Sequence, residues 1–126
     1  MNDLERIRFM ADRCITINEL AQLLEHFLCE IIDVSYDGQI IYGRKRVEEI
    51  GALKIEIHPD EHAPPHFHVT SPDVNATFRI SDGVLLAGNI GGREKKIISL
   101  WHHSAKDKLI AIWNDTRPTD CPVGPI

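Results

Sequence analysis

Ile17, Leu20, Leu24, Phe27 and Ile31 recur at intervals of three and four, and Leu23 and Leu28 widen the stripe. Apolar residues repeat this way on one face of a helix, so the spacing predicts a helix from Thr16 to about Glu30. Thr16 and Glu19 form a capping box at its start, in which hydroxyl and carboxylate each satisfy the other residue's backbone amide. His26 falls off the stripe and is expected on the surface. Residues 1–15 fit two periods. Arg6-Ile7-Arg8-Phe9 alternates as a strand does, whereas Leu4, Ile7 and Met10 are spaced as on a helix.

Beyond the helix the period changes to two. Ile31 to Tyr36 and Gln39 to Tyr42 flank Asp37-Gly38, a pair that supplies the positive φ angles of a tight turn, so a short hairpin is expected. From Ala52 to His58, Leu53, Ile55 and Ile57 face one way and Lys54, Glu56 and His58 the other, until Pro59 ends the strand. A loop follows over Asp60 to Pro65. The pattern then places Phe67 and Val69 inward and His66, His68 and Thr70 outward on a second strand. A third, Asn75 to Ser81, has Ala76, Phe78 and Ile80 inward with Thr77 and Arg79 outward. Asp82-Gly83 turns the chain into a fourth, Val84 to Gly88.

Helical spacing returns after Gly91-Gly92. Ile97, Ile98, Trp101, Ala105, Leu109, Ile112 and Trp113 make a stripe over Arg93 to Asn114, with a break expected near Ser104. The two Trp residues on it are core anchors. Helix, antiparallel strands, helix is an α+β order: a sheet of about four strands with an N-terminal and a C-terminal helix on one face. One domain over residues 1–115 is expected, followed by a flexible tail over 116–126 that is rich in proline.

Composition narrows the classes. The chain has 126 residues, 43% of them hydrophobic and 26% charged, which suits an ordinary globular domain. No apolar run approaches the roughly 20 residues that cross a membrane, and the mixed-charge start is not a signal peptide. Cys14, Cys29 and Cys121 form no CxxC pair, so free thiols in a reducing cytoplasm are expected. A net charge of −5 argues against a nucleic-acid coat. The basic clusters at Arg44-Lys45-Arg46 and Arg93-Glu94-Lys95-Lys96 read as solvated surface. No nucleophile elbow and no phosphate-cradling glycine loop occurs.

What remains is histidine. Four of the seven, His58, His62, His66 and His68, crowd into one stretch. Imidazole exchanges protons near neutral pH and is the commonest metal ligand. Residues two apart on a strand share a face, their bases roughly 7 Å apart, a gap two imidazoles can close around one ion. In a metal reading His66 and His68 are ligands, His62 swings in from the loop, and His58, Asp60 or Glu61 completes the set. Imidazole with carboxylate suits a divalent metal such as zinc. In a catalytic reading His66 and His68 act as base and acid on a ribose hydroxyl, and Arg79 (or Lys54) clamps the phosphate of an RNA. In the plainest reading His66 and His68 merely occupy the solvent face of a strand and His62 caps a turn. A fourth possibility is a partner-binding module that uses the edges of the 31–42 hairpin.

Asp60-Glu61-His62-Ala63-Pro64-Pro65-His66-Phe67-His68-Val69 resembles the small bacterial family known as domain of unknown function 4160. The resemblance covers about residues 50–115, with the strand at Leu53–Ile57, the Gly of Asp82-Gly83 and the helix carrying Trp101 and Trp113. Residues 1–49 then read as an added helix and hairpin. The resemblance implies a cytoplasmic bacterial protein and, from toxin–antitoxin-like arrangements in the family, a small cognate partner protein. The helix–strands–helix order is similar to HicA-type toxin ribonucleases, though their glycine-serine before the histidine is missing. A histidine-triad hydrolase is excluded by Thr at position 70, and a cupin by the low strand count.

Overall fold

The capping box forms. The Glu19 amide donates to Thr16 Oγ1 at 3.2 Å, and the Thr16 amide donates to Glu19 Oε1 at 3.3 Å. Helix α2 accordingly runs from Ile17 to Glu30 with Thr16 as its cap. Thr16→Ala removes that acceptor, and the expected cost is about 1 kcal/mol. It would be read as a lower urea midpoint at unchanged slope. The ambiguity before Thr16 resolves as helix α1, Asp3–Arg13. The helical period wins because Ile7, Ala11 and Cys14, spaced by four and three, all turn into the core. Lys108 Nζ donates to the Asp12 carbonyl near the end of α1 at 3.1 Å. Two N-terminal helices therefore stand where one was expected.

The computed structural model describes residues 3–34, 40–42, 53–57, 64–72 and 74–115. Strands β1 (Ile31–Val34) and β2 (Ile40–Tyr42) pair antiparallel as a two-stranded sheet of their own. The predicted Asp37-Gly38 turn lies outside the described residues, as does the 116–126 tail. The main sheet holds β3 (Lys54–Glu56), β4 (His66–Thr70), β5 (Asn75–Arg79) and β6 (Leu85–Asn89) in sequential antiparallel order. The third predicted strand stops two residues early. Ile80 still donates its amide to the Pro65 carbonyl at 3.0 Å, but Pro65 has no N–H to return, and the Gly83 amide folds back to the Arg79 carbonyl at 2.8 Å, closing a turn in which Gly83 adopts φ +72°. At that angle a side chain is disfavoured, which is why glycine stands there.

Helix α3 runs unbroken from Gly92 to Asp115, so the expected break near Ser104 does not occur. Trp101, Ala105, Leu109 and Trp113 repeat every four residues and are all fully buried, so the packed stripe continues straight through that point. One face of the sheet, with Ile55, Phe67, Val69, Ala76, Phe78 and Ile80, joins this stripe in the core. Phe67 meets Phe78 at 5.6 Å and Trp101 at 5.7 Å between ring centroids. Three hydrogen bonds tie α2 to the segment beyond residue 50: Trp101 Nε1 donates to the Leu20 carbonyl at 3.1 Å, the Leu53 amide donates to Glu25 Oε2 at 3.1 Å, and Arg93 donates to the Leu28 carbonyl. The arrangement is α+β.

Candidate functional site: a histidine pair on the sheet

Pro64 and Pro65 lead the chain into β4 without backbone N–H groups of their own. Strand alternation then sends Phe67 and Val69 to the core and His66 and His68 to the opposite face. The register sets His66 opposite Arg79, and His68 between Thr77 on one side and Glu56 on the other. The His66 and His68 rings come together with centroids 5.0 Å apart and planes at 81°. His66 Nδ1 lies 2.7 Å from the Pro64 carbonyl. A carbonyl only accepts, so Nδ1 carries a hydrogen, and in the neutral ring the lone pair is then on Nε2. His68 Nδ1 lies 3.0 Å from Thr77 Oγ1, a hydroxyl that can donate or accept.

His66 corrects the expectation that it faces outward to solvent. It is 3% exposed. Its ring lies beside Trp113, 6.1 Å between centroids, at the far end of α3. Periodicity assigned the face correctly but could not show a helix end reaching that corner. His68 and Thr70 are half-buried. Arg79 shares the face, yet its guanidinium is forked onto Asp82, with Nε donating to Oδ1 at 2.9 Å and Nη2 to Oδ2. These hydrogen bonds hold the Asp82 carboxyl down to about 2. A phosphate at Arg79 must therefore compete with a carboxylate already in place. Lys54 is exposed opposite Thr70, two pairs further along the strand from His68. His58, Asp60, Glu61 and His62 lie outside the described residues. Among the described residues no three His, Cys, Asp or Glu side chains gather as a ligand set, so His66 and His68 stand as a pair.

Sequence reasoning passed over His102. Ile98, His102, Ala105 and Leu109 are spaced four, three and four, so the helical stripe already contained it. It is buried, its Nε2 donates to the Ile80 carbonyl at 2.6 Å, and its ring lies parallel to Phe67 at 6.1 Å. Burial pushes its pKa below the ordinary value of 6.5, and the nearby Lys106 and His103 push the same way; the hydrogen bond to Ile80 and the Asp82 charge oppose the shift. The unfolded chain thus binds the extra proton more readily. Stability from this residue is full above about pH 6.5 and falls as pH drops toward the depressed folded value. Urea midpoints should decline from neutral pH to about pH 5, and His102→Gln should flatten that decline.

The profile of the family described as domain of unknown function (DUF4160) matches residues 53–114. The chain belongs to the DUF4160 family over that stretch. No curated protein and no solved structure matches the chain. The DUF4160 region takes in β3 to β6 and nearly all of α3, and with them His66, His68, Arg79 and His102. Helices α1 and α2 precede it, yet Ile7, Leu20 and Leu24 share its core. Among the described residues no helix is long and apolar enough to cross a membrane.

Proposed function

We propose that the DUF4160 region of this chain binds a divalent cation of the zinc class, with His66 and His68 as two of its ligands. The observation that carries this is the 5.0 Å separation of the two ring centroids. Two imidazoles on one tetrahedral zinc, each bound through nitrogen at about 2.1 Å, place their ring centres about 5 Å apart. The Pro64 carbonyl adds support. A ligating histidine characteristically donates its other N–H to such a group, which fixes the tautomer and turns the second nitrogen toward the metal. The shell would be completed from the 58–62 stretch, where His62 and His58 are the first candidates and Asp60 and Glu61 the next.

Burial of His66 suits this reading, because a ligand needs no contact with bulk water. The same burial weakens a toxin-like ribonuclease. There the pair must meet a ribose hydroxyl directly, with Arg79 available to the phosphate rather than forked onto Asp82. Metal analysis of the purified full chain, then titration of the stripped protein with zinc or cobalt, tests the proposal. The expected result is uptake of about one ion per chain, with cobalt giving tetrahedral absorption bands. A chain that holds no metal and takes none up overturns it, and cleavage of RNA in the presence of a chelator would move the pair to acid–base chemistry.

A further inference from the structure

The hold on His66 extends well past Pro64. Adjacent Pro65 accepts a hydrogen bond through its carbonyl from the Ile80 amide at 3.0 Å, and the Ile80 carbonyl accepts from His102 Nε2 at 2.6 Å. Neither proline has an N–H, so carbonyls are the only backbone groups by which this segment can be pinned. His102 is itself clamped. Phe67 stacks parallel to its ring at 6.1 Å, and on the turn between β5 and β6 a Cβ at Gly83 would lie 2.9 Å from its Nδ1. One ring of α3 therefore touches the turn, the residue beside His66, and the peptide that ties down Pro65.

We propose that His102 is a positioning residue for the His66–His68 site. By holding the Ile80 peptide it fixes the Pro64–Pro65 segment, and the Pro64 carbonyl then keeps His66 with its hydrogen on Nδ1 and its lone pair on Nε2. The consequence for metal binding rests on the reading that Nε2 of His66 is a ligand atom; the effect on the tautomer does not.

Long-range proton–nitrogen NMR of the histidine side chains in the metal-free full chain reads the tautomer directly. The wild-type protein should show His66 with its hydrogen on Nδ1. His102→Gln keeps an N–H donor at similar reach and should retain that signature. His102→Met fills the space without a donor, and Gly83→Ala presses on the ring from the turn. Both should give mixed His66 tautomers and cobalt affinity weaker by about tenfold. A folded His102→Met whose His66 signature and cobalt affinity match the wild type overturns the inference. If His102→Met does not fold, an unchanged signature in Gly83→Ala does the same. A tautomer change in a protein whose wild type takes up no cobalt supports His102 as the anchor while removing the metal reading.

Discussion

Replacing His66 and His68 together by alanine should abolish cobalt and zinc uptake. Each substitution alone should weaken it by more than about 100-fold, since even the outer partners of such ligands are worth about 10–100-fold. The single variants separate binding from folding. His66 is buried beside Trp113, so its removal also leaves a hole; His68 is half-buried, so His68→Ala should bind weakly while unfolding near the wild-type midpoint. Thr77→Val deletes the hydroxyl at His68 Nδ1 and should cost about tenfold in affinity. Arg79→Gln is the counter-test. It should leave metal uptake unchanged, whereas a phosphate-handling site would lose its cation. Titrations of these variants in one buffer decide between the two, and full cobalt uptake by the double variant would end the case for His66 and His68 as ligands.

Trp101→Ala should cost about 3–5 kcal/mol, which approaches the whole stability of a domain of this size. The indole is fully buried, and its ring meets Phe67 on the sheet. Its N–H also donates to the Leu20 carbonyl on α2. The substitution therefore empties a large volume and removes the side-chain hydrogen bond that joins α3 to α2. Circular dichroism through a urea titration should show a protein largely unfolded at low denaturant. Ile15→Ala is the control: that side chain is 83% exposed, so its removal should stay within about 0.5 kcal/mol. A Trp101→Ala protein as stable as the wild type would show that α3 does not join the N-terminal helices to the sheet.

The periodic elements were legible because each period reports a single local geometry. Thr16 with Glu19 marked the start of α2, and the alternation from Phe67 to Thr70 assigned the two faces of β4. Where two periods overlapped, as over residues 6–10, only packing chose: Ile7 and Ala11 are buried together, and that needs a helix. The break expected near Ser104 does not form, because Trp101, Ala105 and Leu109 keep one face of the helix packed straight through it. The core partnership of α1 and α2 with the DUF4160 region joins residues far apart in sequence, and no local pattern carries such a pairing.

By itself the sequence determined the order of helices and strands from α2 onward, the faces of β4 and β5, and the presence of paired imidazoles on one of those faces. These follow from spacing along a single stretch of chain. Only the tertiary structure decided that His66 is buried beside Trp113, that Arg79 is spent on Asp82, and that His102 anchors the turn next to the proline pair. Each of these depends on where a helix end or a turn arrives in space. That is set by the packing of the whole core, which residue spacing does not encode.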